Sequence, residues 1–473
     1  MRVTYVCHAC MLIEANGVRI LTDPWIHGPC FYGSWYQLPE PVVRVEDLFP
    51  LDYIYISHSH PDHLHKPTLA RVPKDMQLII PGAEPYQLEV LQKEGFKNIL
   101  TVPHGATVTL KNGVTLQLYK QSWDSMIIVH DGKSTYLNLT DCRLEHVIHK
   151  IRRDHPVIDV AFLPFLDAMD FPAAFDLSPL GRTVSQREVD RRTASHFINM
   201  ALALNAKTAV PSASHKVFLH PSQWDMNERI TPLELQENCQ KLTPQVKFLY
   251  LSAGDYWDSN GKSKGSPAPN AATLDRSVKE CYQRRKQEVD EAFNAYSQVP
   301  SPEYAAKIQA GLKNFFEKNL TRLNFFWKVL LRMKVEFACP ELAKPYQLVD
   351  VAKGTVSEPR AERFPEADVT FTLPSGILDY SLVQDKDLWN DARTSNRIYT
   401  RLNKPISVSR VKLFSWLLTW HFIQKGLFRD MIMRMTFPLI HLYRFHRYEA
   451  VKQKDLQLFD EAPRVAPVAA ATD

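Results

Sequence analysis

From residue 1 to about 255 the apolar positions fall into short alternating or continuous runs separated by turn residues, the pattern of half-buried and fully buried strands. VTYVCHACMLIEANGVRILTD opens the series, and its Asn16-Gly17 pair predicts a hairpin turn. Further runs follow at 53–58, 77–80, 114–119, 126–141, 158–164, 208–211 and 247–254. Between them, around 66–73 and over 84–95 and 187–205, apolar residues recur at helical spacing. Strands with helices set between them predict sheets covered by helices, an α/β architecture.

The pattern changes after residue 255. Residues 256–275 concentrate Gly, Ser, Pro and Asn and predict a linker. Beyond it, 276–460 reads as a C-terminal accessory domain, mixed but mainly helical, with strand-like text returning over 345–405. Residues 411–448 are aromatic and apolar, yet Lys412, Lys425, Arg429 and Arg434 leave no run of the roughly 20 residues that a spanning helix requires. Peripheral membrane contact is one reading of that segment; core-packing helices broken near Gly426 and Pro438 is the preferred one. Residues 461–473 read as a disordered tail.

The chain has 473 residues, 45% hydrophobic and 23% charged, which fits a folded protein of two to three units. A formal net charge of +5 is too weak and dispersed to indicate nucleic acid, so none is expected, and it is compatible with an anionic small molecule. Seven scattered cysteines and the opening MRVTYVCHAC give the expectation of a reducing, cytoplasmic location. Cys7 and Cys10 sit in strand-like text, where cysteine usually serves as a small hydrophobe.

One segment carries specific chemistry. An apolar strand runs into His58-Ser59-His60-Pro61-Asp62-His63, which gathers three imidazoles and a carboxylate on one turn. Such crowding is explained if cations organise it, with His58 and His60 on one metal and Asp62 and His63 facing a second.

The H-x-H-x-D-H spacing resembles the signature of the metallo-β-lactamase superfamily, whose fold is an αββα sandwich with a dinuclear centre at one edge. Leu21-Thr22-Asp23-Pro24-Trp25 resembles that fold's early loop, where an Asp lies near the metals. The resemblance implies Asp141, after YLNLT, as the bridging carboxylate, and so Asp62 and Asp141 as the catalytic acids. TDPWIHGPCFYGSWYQLPEP, YISHSHPDHLHKPTL, DSMIIVHDGKSTYLNLTDC and FLHPS are together similar to the nucleotide-sugar hydroxylases acting on CMP-N-acetylneuraminate and UDP-N-acetylmuramate.

That family pairs the domain with a Rieske module, which needs two Cys/His pairs. Cys7-His8-Ala9-Cys10 does not supply them, so oxygenase chemistry would draw electrons from a separate protein. Hydrolytic relatives complete the centre with two further histidines, which would fall near Gln121-Ser122-Trp123 and Val210-Pro211-Ser212, where none stands. His215 is the nearest substitute for the second, ahead of His220 and His104. The expectation is a centre of two divalent ions, iron or zinc, held by His58, His60, Asp62, His63, Asp141 and His215. It would serve a hydroxylase acting on an anionic small molecule or, alternatively, a hydrolase of a phosphodiester, lactone or amide. The basic group Arg182, Arg187, Arg191 and Arg192 reads first as a solvated helix face.

Overall fold

The computed structural model describes residues 1–423 apart from 83, 122, 123, 143–146, 167, 169, 182, 321, 322, 324 and 385–388. Residues 424–473, with most of the aromatic segment and the tail, and Arg182 lie outside the described residues.

The N-terminal half holds two seven-stranded sheets. The first runs Tyr256–Asp258, Arg2–Cys7, Cys10–Ala15, Val18–Thr22, Tyr53–Tyr55, Leu78–Pro81 and Ile99–Val102 in spatial order. The second runs Lys247–Phe248, Ala206–Pro211, Ile158–Leu163, Thr135–Asn138, Asp124–His130, Thr115–Gln121 and Thr107–Thr109. Alternation in the strands sends Val3, Tyr5, Met11 and Ile13 of one sheet against Leu116, Leu118, Ile127 and Val129 of the other, forming the central core. The opposite faces are covered by helices. Leu91 of helix Pro85–Lys93 packs on the first sheet, and Phe197 and Ala201 of Gln186–Ala203 pack on the second. The result is a four-layer αββα sandwich.

The hairpin predicted at Asn16-Gly17 is present: Ala15 pairs with Val18, and both turn residues take positive φ, 48° and 77°. The linker is shorter than expected. Tyr256–Asp258 pairs with Arg2–Thr4, and Trp257 is buried in the inter-sheet core, so the first unit continues to Asp258. Gly- and Ser-rich neighbours hid that short aromatic edge strand.

The C-terminal region contains helices Ala271–Asn294, Pro302–Leu320 and Val408–Ile423 beside a six-stranded sheet. One edge of that sheet is Phe175–Asp176, which comes from the first half of the chain and pairs in parallel with Tyr399–Leu402. The two units are therefore interleaved. Their contact is reinforced by the buried pair Arg393–Asp170, with Nε 2.6 Å from Oδ2, and by Gln223 Nε2 donating to Ser395 O at 3.1 Å. Among the described residues no helix is long and apolar enough to cross a membrane.

Candidate metal centre

The strand Tyr53–Tyr55 ends at the sandwich edge, and the chain then turns at His60–Leu64, where His63 N and Leu64 N both donate to His60 O. Ser57 anchors the turn: its N–H donates to Asp23 Oδ1 at 2.7 Å and its hydroxyl to Asp23 Oδ2 at 2.8 Å. The same hydroxyl lies 3.0 Å from His58 Nδ1. With Nδ1 tethered, Nε2 of His58 points away, 2.8 Å from His60 Nδ1, 3.7 Å from Asp124 Oδ1 and 3.9 Å from Asp141 Oδ2.

His63 is oriented in the same manner. Its Nδ1 is 2.9 Å from Asp23 Oδ2, which turns Nε2 toward Asp62 Oδ2 at 3.5 Å and Asp141 Oδ2 at 3.7 Å. A carboxylate holding one imidazole nitrogen while the other faces a cation site is a recurrent way of fixing the ligating tautomer.

Asp141 reaches the edge through a tight turn in which Thr140 has φ 51° and its N–H donates to Asn138 Oδ1. Its carboxylate stands between His58 and His63. The donor atoms form three overlapping groups: His8 with Asp62 and His63, His58 with His63 and Asp141, and His58 with His60 and Asp124.

Two members of these groups escaped sequence reasoning. Asp124 starts the strand Asp124–His130, one residue beyond Gln121-Ser122-Trp123, and an acid at that strand start is its signal. His8 occupies the two-residue turn between strands Arg2–Cys7 and Cys10–Ala15 at φ 43°, and its Nε2 lies 3.0 Å from Asp62 Oδ2. A polar residue at the apex of an otherwise apolar hairpin was its signal. All seven cysteines are buried thiols, Cys7 and Cys10 among them.

His215 joins none of the three groups. Its ring is enclosed by Tyr5, Phe165 and Tyr250, with centroids 5.4, 5.8 and 5.6 Å away. Burial, with a smaller contribution from His8, pushes its pKa down to about 3. Where His215 was expected to complete the centre, His8 stands instead, because the hairpin turn reaches Asp62 directly. His220 stacks on Phe293 at 3.8 Å and bonds Ser222, and the exposed His104 bonds the backbone of Lys120; neither approaches the cluster. Of the basic group, Arg187 is paired with Glu234 at 2.5 Å and Arg191 faces solvent.

The electrostatics differ from residue to residue across the cluster. Burial and the neighbouring rings of His63 and His60 keep His58 neutral, well below its ordinary pKa. Burial opposes a charge on His63 as well, but Asp62, Asp23 and Asp141 outweigh it and raise the ring to about 10. Burial and Asp141 push the Asp124 carboxyl up. Burial would do the same to Asp62, yet His63 and His8 hold it well below the usual carboxylate range.

Nε2 of His63, Oδ1 of Asp62, Oδ1 of Asp124 and Nδ1 of His8 are buried with no hydrogen-bond partner among the described residues. Each such atom costs roughly 1–3 kcal/mol. Two of the four, His63 Nε2 and Asp124 Oδ1, meet the other donors of imidazole and carboxylate, so the residues present fit divalent cations.

Residues 2–148 match the family profile described as the beta-lactamase superfamily domain. A protein of Mycolicibacterium smegmatis described as a Rieske 2Fe-2S iron–sulfur protein is 30% identical over 246 residues, 48% of this chain and 46% of that one. The cytidine monophosphate-N-acetylneuraminic acid hydroxylase of Danio rerio is 28% identical over 255 residues, 50% of this chain and 42% of that one. The chain thus spans under half the length of these relatives. Among solved structures, an isothiocyanate hydrolase from Delia radicum gut bacteria superimposes with a TM-score of 0.40 at 16% identity, covering 55% of this chain and 98% of that one. The chain carries a domain of the metallo-β-lactamase fold. Its edge cluster gathers side chains that could hold a metal ion.

Proposed function

We propose that the edge cluster holds two divalent ions and that the chain is a hydroxylase-type enzyme acting on an anionic small molecule, with electrons from a separate donor protein. The observation that carries the metal reading is Asp141, whose Oδ2 lies 3.9 Å from His58 Nε2 and 3.7 Å from His63 Nε2, midway between the outer donor groups. His58, His60 and Asp124 would hold one ion, His8, Asp62 and His63 the other, with Asp141 between them. Three carboxylates among four imidazoles make a mixed nitrogen and oxygen set that suits iron, which supplies oxygen-activating redox chemistry when bound.

The chain's own residues then do the placing. Asp23 and Ser57 hold the ring tautomers, the buried aromatic Trp25 packs edge-on at 5.2 Å against His8, and Asp124 and Asp141, with side chains 20% and 24% exposed, mark the open side where substrate would enter. The anionic substrate and the electron donor rest on the named relatives: the zebrafish relative is named for a sugar nucleotide, and the mycobacterial one for a Rieske cluster.

A hydrolase is the second reading. With His63 and Asp62, His8 makes a two-imidazole, one-carboxylate set of the kind that holds catalytic zinc with a position left for water. Elemental analysis of protein purified without added metal separates the two. About two irons per chain, with substrate hydroxylation that depends on an added reductant, supports the first. Zinc alone with turnover of a phosphodiester, lactone or amide supports the second, and absence of stoichiometric metal removes both.

A further inference from the structure

A metal ion held by His60 would engage one of its two ring nitrogens. Nδ1 lies 2.8 Å from His58 Nε2 and is the atom turned into the cluster. An imidazole that ligates through Nδ1 carries its proton on Nε2, and that N–H needs an acceptor to keep the tautomer and the ring plane fixed.

Nε2 of His60 faces the C-terminal unit. The side-chain amide of Asn390 is 2.9 Å from it, and Asp391 Oδ1 is 3.9 Å away, with Asp391 only 2% exposed. As placed, the amide nitrogen of Asn390 meets the ring nitrogen. A half-turn of the amide puts Oδ1 in the same position, where it accepts the Nε2 proton. The buried carboxylate beside it strengthens the polarisation of the ring.

The helix that presents these residues, Trp389–Thr394, is held against the first unit. Trp389 roots it in the C-terminal unit against Phe337 and Phe371, while Arg393 pairs with Asp170 and Gln223 donates to the carbonyl of Ser395 just past the helix, both across to the first unit. Arg397 Nη1, slightly farther on, donates to Tyr32 O at 2.9 Å. The approach to His60 is thus built into the interface between the units.

We infer that Asn390, with Asp391 behind it, is a positioning residue of the metal centre: it fixes His60 with Nδ1 toward the ion, so the C-terminal unit sets how firmly the His58–His60–Asp124 site retains its metal. This inference rests on the metal reading above. It assigns the accessory unit a part in the centre itself.

The test is metal affinity by chelator competition, together with the visible spectrum of the cobalt-loaded full chain. Asn390 is half-buried, so truncation spares the core. Asn390→Ala should weaken one of the two bound ions by roughly 10–100-fold, leave the other unchanged and shift the cobalt bands. Asn390→Asp, which restores an acceptor in the same place, should recover the affinity. Gln223→Ala loosens the same interface without touching His60 and should retain both ions. Wild-type affinity in Asn390→Ala, failure of Asn390→Asp to rescue, or equal loss in Gln223→Ala would overturn the inference. Wild-type protein that binds no ion would instead remove the metal reading on which it stands.

Discussion

Asp23 Oδ2 lies 2.9 Å from Nδ1 of His63, although 40 residues separate them in sequence. Asp23, at φ 35°, is fully buried and also receives both the N–H and the hydroxyl of Ser57, so one side chain orients the loop and its last imidazole together. Asp23→Asn keeps the shape but loses the charge that fixes the His63 tautomer. Metal affinity should fall by roughly 10–100-fold while the fold persists. Chelator competition and circular dichroism check this; undiminished affinity would show that Asp23 only anchors Ser57.

His8 and Asp124 should separate the two sites. His8→Ala removes a donor from the group with Asp62 and His63, and Asp124→Asn removes one from the group with His58 and His60. Each should lower metal content from two ions toward one per chain. His58→Ala, which removes another donor of that second group, should likewise leave about one ion. Loss of both ions in either of the first two variants would contradict separate sites.

The acid side of the stability profile should carry the signature of His215. Its folded pKa of about 3 lies below the ordinary value of 6.5, so the unfolded chain binds the extra proton more readily. That contribution is fully present above about pH 6.5 and is lost as pH falls from there toward 3, by at most about 1.4 kcal/mol per pH unit. His215→Phe should flatten the loss in denaturant titrations from pH 7 to 4. An unchanged slope would place the acid sensitivity in other groups.

The interleaved interface should depend on the Arg393–Asp170 pair, whose side chains are 8% and 1% exposed. Removing one buried partner strands the other charge, so Asp170→Ala should destabilise by about 3–5 kcal/mol. Chemical denaturation measures this, and a change under 1 kcal/mol would mean that water reaches the arginine.

Much of this was readable from the chain because it is local. The apolar strand at 53–58 had to end at a sheet edge, and the H-x-H-x-D-H spacing put four side chains on the turn that follows. Asn16-Gly17 marked its hairpin because Asn and Gly adopt consecutive positive φ values most readily. What was not readable is long-range. His8 meets Asp62 only once two strands lie side by side, and Asn390 reaches His60 across 330 residues because helix Trp389–Thr394 docks on the first unit. Asp124 was not legible because an imidazole is the residue type expected near that position, while a carboxylate serves a cation equally well. His215 looked suitable from its place near a strand end, but its aromatic enclosure could not be read from spacing.

The central claim is that imidazoles and carboxylates from four separate segments converge on inorganic ions at the edge of the sandwich. Anomalous scattering from crystals of the metal-loaded protein tests it most directly. The account predicts two peaks about 3.5–4 Å apart flanking the Asp141 carboxylate, one beside His58, His60 and Asp124 and one beside His8, Asp62 and His63. A loaded crystal with no peak at this edge, or with its ions bound elsewhere, would contradict it.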